Sequence, residues 1–350
     1  MNRTIGAIAA LASLLLVSGC SRGPAGGADQ SNKPGAMPAA SNAGQGTPAA
    51  GKRHSIRFIF KVSGLSYGAA LERGMKEAAS KIGVDARYLA PDTADASKQN
   101  NMIEDQINAG VDAVVISPND ATAVNRVVAR GIDKGVKMFT WDSDAPDSKR
   151  IFYVAAADDV QIGTDIANAL AKSIGGKGRV AIMSGGRAAY NLNQHVRGML
   201  DGFKKYPGIA VVEPILYNDD DKTTAISQAV TILQKYPDLA GIACSNSPSP
   251  PAAAQALIQT RRAGKVRVWG LSLPSENRRY IKDGVVTGLM LWDPAKLTGL
   301  TTILVNDALN GKMPKDGTDY PGYGRIKVKG PIVLMPGVTI TKENVDRFDF

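Results

Sequence analysis

The chain has 350 residues, 44% of them apolar, and its 42 Lys and Arg outnumber 32 Asp and Glu for a formal net charge of +10. Two Cys and two His form no disulfide framework and no zinc-like spacing. The basic excess suits anionic lipid or cell-wall polymer, whereas no basic–aromatic cluster supports nucleic acid as a partner.

The N-terminus reads Met1-Asn2-Arg3, then an apolar run from Ile5 to Val17, then Ser18-Gly19-Cys20. A positive start, a run short of the about 20 apolar residues needed to cross a bilayer, and small residues before a cleavage point describe an export signal. Val17-Ser18-Gly19-Cys20 resembles the lipobox of bacterial lipoproteins. The resemblance implies a signal peptide over 1–19 and an acylated Cys20. Residues 20–53 are Gly, Ala, Ser, Pro, Asn and Gln with few large apolar side chains, and so are expected to form a flexible tether. The expected location is outside the cytoplasm, lipid-anchored at a membrane surface. Cys244 reads as a buried small apolar residue.

From Ile56 onward, short β-branched runs alternate with helical patterns. Strands are expected at 56–61, 84–89, 113–117 and 137–141, with helices at 69–82, 97–108 and 121–134. The alternation restarts with helices at 161–173, 194–205, 223–235 and 252–260 and strands at 179–183, 210–216, 241–245 and 266–270. Repeated βα units with short connections imply parallel sheets covered by helices on both faces. Two α/β halves of this size fit two domains better than one overlarge sheet.

Ligands of such sheets bind beyond the carboxyl ends of the strands. Those ends carry Lys61 and Tyr67, then Asn119 and Asp120, then Asp142 and Asp144. The second half adds Asn191, Asn218, Asn246, Trp292 and Asp293. Small polar loops gathered at one end are what a pocket for a polar solute needs, and an Asp directly after a buried strand demands hydrogen-bond partners. Carboxylates accept hydroxyl hydrogens two at a time, so the set suits a neutral or weakly anionic polyol. No nucleophile elbow, Walker loop or metal-ligand run is present, so neither catalysis nor a cofactor is expected; His195 reads as a capping or surface residue.

Phe139-Thr140-Trp141-Asp142-Ser143-Asp144-Ala145-Pro146, Pro251-Ala252-Ala253-Ala254-Gln255, Leu291-Trp292-Asp293 and the closing Thr341–Phe350 segment resemble the type I periplasmic binding proteins. Within them the likeness is to the rhamnose and autoinducer-2 receptor branch of ABC sugar importers. It implies two Rossmann-like lobes joined by a three-crossover hinge, one of 55–157 plus 293–325 and the other of 158–292 plus 326–350. It also implies that Lys61 hydrogen-bonds ligand, that Tyr67 takes the place of a stacking aromatic, and that Asp142 takes hydroxyls with Asp144 beside it. Trp292 and Asp293 would border the cleft at the hinge. The chain departs from the autoinducer-2 receptors in having Asn191-Leu192 where they carry an Asp-Gln pair, which argues against that ligand. The expected protein is a monomer that hands a small solute to an ABC permease. The alternative is a sensor subunit presenting ligand to a histidine kinase or chemoreceptor. The export signal removes a cytoplasmic repressor.

Overall fold

Each half of the body is built on a seven-stranded sheet. The structure, a computed structural model, describes residues 53–335 and 338–350. The expected signal peptide, Cys20 and the tether up to residue 52 lie outside the described residues. In the first half β1 (Ser55–Ile59), α1 (Ser66–Ile82), β2 (Asp85–Leu89), α2 (Ala96–Asn108), β3 (Ala113–Ile116), α3 (Asn125–Asp133), β4 (Lys137–Trp141) and β5 (Tyr153–Ala155) follow in order. The second half runs α4 (Asp159–Ser173), β6 (Lys177–Ser184), α5 (Tyr190–Phe203), β7 (Gly208–Val211), β8 (Leu216–Tyr217), α6 (Lys222–Lys235), β9 (Leu239–Cys244), α7 (Ser249–Gln259), β10 (Arg267–Leu271), α8 (Pro274–Lys282) and β11 (Gly288–Leu291). The chain then forms α9 (Pro294–Leu309), the short strands β12 (Asp319–Tyr320), β13 (Gly324–Arg325), β14 (Lys327–Lys329) and β15 (Ile332–Leu334), and finally β16 (Val338–Ile340).

One sheet has the order β14-β15-β5-β4-β3-β1-β2 and the other β16-β11-β10-β9-β6-β7, with β8 also on β6. All pairs in them are parallel except β14–β15 and β11–β16. The expected α/β class with two Rossmann-like lobes is therefore what the chain adopts. Sheet membership makes the chain pass between lobes three times: between β5 and α4, between β11 and α9, and between β15 and β16. The expected lobe boundary at 325/326 needs correction, because β15 lies parallel to β5 (Ile332↔Tyr153) and carries β14 with it into the first sheet. These strands are only three residues long and carry no periodic signal.

Parallel strands are covered on both faces, and their side chains alternate accordingly. Ala113 and Val115 of β3 enter the core under α1 and α9, whereas Val114 and Ile116 enter the core under α2 and α3. The helix pairs that cross closest do so through glycine. A Cβ on Gly74 of α1 would stand 1.9 Å from the Ala295 carbonyl oxygen, and one on Gly163 of α4 would stand 2.0 Å from that of His195. The second contact presses α5 against α4 at the hinge side of the cleft. Helix α5 also begins four residues before the expected 194, so Asn191 and His195 sit one turn apart on the same face. The strand expected over 210–216 divides into β7 and β8.

Candidate functional site

The ends of β1 and β3 are clamped together by one buried side chain. Gln99 of α2 donates from Nε2 to the carbonyls of Phe60 (3.0 Å) and Ser117 (2.9 Å), and its Oε1 accepts the Asn119 N–H (2.8 Å). Asn119 Nδ2 in turn donates to the Lys61 carbonyl at 2.8 Å. Lys61 thus leaves the sheet in a fixed direction with its side chain buried.

Asp142 follows β4 in the left-handed region, with φ 63°. Its N–H still donates to Val154 O of β5 (3.1 Å), so the strand pairing holds while the chain turns. Asp and Asn tolerate this conformation better than other side chains with a Cβ. Its Oδ1 accepts from Tyr67 OH and its Oδ2 from Ser117 Oγ, both at 2.7 Å, and Lys61 Nζ lies 3.5 Å from Oδ2. Tyr67 is itself the acceptor of Trp292 Nε1–H at 2.9 Å. Burial, reinforced by the negative charge of Asp142, pushes the Tyr67 phenol well above its ordinary range, so it stays a hydroxyl donor. The Tyr67 and Trp292 rings meet edge-on with centroids 6.3 Å apart, giving the cavity an apolar wall beside its charges.

The second lobe faces this set with α5 and the ends of β8 and β9. Asn191 Oδ1 accepts from Lys61 Nζ at 2.9 Å, a direct bond between the lobes. The Ala121 N–H also crosses, donating to the Ala188 carbonyl at 3.2 Å. His195 is buried, with Nε2 3.1 Å from Asp159 Oδ1 and Nδ1 3.3 Å from the Ser245 carbonyl. Asn246 Nδ2 donates to Asn218 Oδ1 and to Asp220 Oδ1, each at 2.8 Å, and Asn246 Oδ1 accepts from Ser249 Oγ. Part of Asp220 stays exposed, yet its carboxyl faces inward; burial raises its pKa, and Lys61 opposes the shift only in part.

Lys61, Tyr67, Asp142, Asn191, Asn246 and Trp292 line one cavity of about 50 Å³ between the lobes. The other two expected residues stand elsewhere. Asp144 is held by Arg150 through Nε (2.6 Å) and Nη2 (2.5 Å) and by Thr140 Oγ1 (2.6 Å), so its carboxylate fastens the loop after β4. Asp293 caps α9, accepting the Lys296 N–H at 3.1 Å. The cavity also takes in two ionisable residues not expected there, His195 and Asp220. His195 was expected at a cap or the surface; α5 starts early enough to turn it inward. The signal for Asp220 was the run Asp219-Asp220-Asp221, of which only Asp221 is used as a helix cap.

Two parallel-sheet lobes, three passages between them and polar strand ends converging on an interlobe cavity place the chain in a definite class. A family model described as a periplasmic binding protein domain matches residues 56–313. The chain belongs to that family. This periplasmic binding protein is therefore a solute-binding protein and not an enzyme, and family membership implies export. It is 26% identical to the D-allose-binding periplasmic protein of Escherichia coli (strain K12) over 267 residues, 73% of this chain and 85% of that one. An ABC transporter solute-binding protein from Burkholderia graminis, solved in complex with D-arabinose, is 31% identical with a TM-score of 0.75, covering 84% of this chain and 97% of that chain. LsrB from Clostridium saccharobutylicum, in complex with AI-2, shares the fold at a TM-score of 0.78 and 24% identity, over 85% of this chain and all of that one. No described helix is long and apolar enough to cross a membrane.

Proposed function

We propose that this periplasmic binding protein is the substrate-binding subunit of an ABC importer and captures a monosaccharide or similar small polyol between its lobes. The observation that carries the reading is Asp142, a buried carboxylate at a strand end, supported by Tyr67, Ser117 and Lys61 and facing Asn191, Asn246 and Asp220 of the other lobe. Hydroxyl-rich solutes offer donors to the carboxylates and acceptors to Lys61 and the amides, with a carbohydrate face for Tyr67 and Trp292. The relatives that bind D-allose and D-arabinose support this ligand class. Contacts from both lobes would favour the closed form, which a permease can read.

Autoinducer-2 is not the ligand on this reading. Asn191 already accepts from Lys61, and Leu192 brings no polar atom to the cavity it lines. Tight autoinducer-2 binding by calorimetry would overturn that exclusion. Anchoring through acylated Cys20 and the tether over 20–53 completes the proposal; Cys20→Ser should abolish fatty-acid labelling of the exported protein. The test of the whole is a thermal-shift screen of pentoses, hexoses and polyols followed by calorimetry. At least one should raise the melting temperature of the parent and bind at least about 100-fold more weakly to Asp142→Asn. A protein that no sugar or polyol stabilises defeats the assignment.

A further inference from the structure

One carboxylate in the cavity has an oxygen that accepts from no protein donor among the described residues. Asp142 has one protein donor on each oxygen and Lys61 beside it, so its charge is compensated within the first lobe while each oxygen keeps a lone pair for a ligand hydroxyl. His195 has Asp159 as its own partner. Asp220 differs: Oδ1 accepts from Asn246 Nδ2 at 2.8 Å, and among the described residues no donor reaches Oδ2, while Lys61 attracts the carboxylate only from beyond ion-pair distance. The backbone at Asp220 is also held in the left-handed region, with φ 59°, and Gly185 leaves the carboxyl room that a Cβ at 2.5 Å from Oδ1 would take. A Gly makes space, an Asn fixes one oxygen, and the other is left without a protein donor on a residue that lines the cavity. Counting Lys61 against Asp142 and Asp220, the lining carries one negative charge more than positive.

We propose that Asp220 is a ligand-contacting residue that accepts a hydroxyl hydrogen from an uncharged polyhydroxyl solute and excludes carboxylated or phosphorylated ones. This rests on the cleft being a sugar site, and it narrows the ligand class, because the strand-end residues read from the sequence leave weakly anionic solutes open. An acid brought beside Asp220 meets like charge at close range, where such juxtaposition is costly. A hydroxyl meets an acceptor that Asn246 and the left-handed backbone have already oriented.

The test is calorimetry on the full chain and on Asp220→Asn with matched pairs: D-galactose against D-galacturonate, D-glucose against D-glucuronate, and D-ribose against its phosphate ester. Asn suits the left-handed backbone and can still accept from Asn246, so the variant changes charge with little change of shape. In the parent, the neutral member of a binding pair should be favoured by about 100-fold or more. Asp220→Asn should lower the neutral affinity by about tenfold and shrink the discrimination to within about tenfold. If that variant does not fold, Asp220→Gly removes the same charge at a backbone glycine readily adopts, and the same shrinkage is expected. Neutral sugars that bind with unchanged affinity and unchanged discrimination in the variant overturn the role of Asp220 and leave the sugar site standing. Acids that bind the parent as well as their neutral partners overturn it equally. A parent that binds no sugar of any pair overturns both.

Discussion

Replacing Asp142 with Asn removes one negative charge and keeps the shape and the tolerance for φ 63°. Tyr67 OH receives the Trp292 hydrogen, so its own proton must go to position 142. The amide oxygen takes that place, and the amide nitrogen then turns toward Ser117 Oγ and Lys61, where the carboxylate oxygen lay 3.5 Å from the ammonium. The variant thus loses one charge-assisted bond and leaves a buried Lys without its adjacent counter-ion. Breaking a buried pair from one side costs about 3–5 kcal/mol. Lys61 keeps its bond to Asn191 and the more distant charge of Asp220, which places the loss near the lower end, about 3 kcal/mol. For a body of this size that is a fall of roughly 5 °C in melting temperature, measurable by calorimetry or circular dichroism. Adding Lys61→Met should recover at least about 1 kcal/mol relative to the sum of the single changes, because the orphaned charge is removed. A melting point within about 2 °C of the parent, or strict additivity in the cycle, would refute the reasoning.

Gly163→Ala should destabilise the fold by about 1–3 kcal/mol or more in urea unfolding, since its Cβ would stand 2.0 Å from the His195 carbonyl and drive α4 from α5. Burial raises the Asp220 pKa, so the native state holds that proton more tightly than the unfolded chain; the group's contribution to stability is greatest at acid pH and falls as pH rises through the raised value. Asp220→Asn should therefore gain stability over the parent at about pH 7 and lose that advantage toward about pH 4, and an advantage independent of pH contradicts the assignment. Burial also pushes the Cys244 thiol far above its ordinary range. In a Cys20→Ser chain, Cys244 should resist thiol reagents until denaturant unfolds the second lobe; rapid labelling of the native protein would show that it is not enclosed.

The alternation of β-branched runs with amphipathic helices was enough to establish parallel sheets in two lobes, because hydrophobic period is a local property of the chain. Lys61, Tyr67, Asp142 and Trp292 were legible for a related reason: each follows or borders a buried strand, and strand ends are where such sheets bind. The roles of Asp142 and Asp144 were not separable from sequence, being the same residue type two positions apart. Pairing of the Asp142 N–H with Val154 turns one carboxylate to Tyr67 and Ser117, while Arg150 captures the other. Asp220 and His195 depend on backbone and packing that no periodicity encodes, a left-handed turn in one case and a glycine-mediated helix contact in the other. The short strands β14 and β15 join the first sheet only because β5 offers them an edge. Sequence by itself determined the fold class and the end of the sheets at which the candidate site gathers. Tertiary structure alone decided which charges meet there, because burial and pairing belong to residues as far apart as Lys61 and Asn191, 130 positions along the chain.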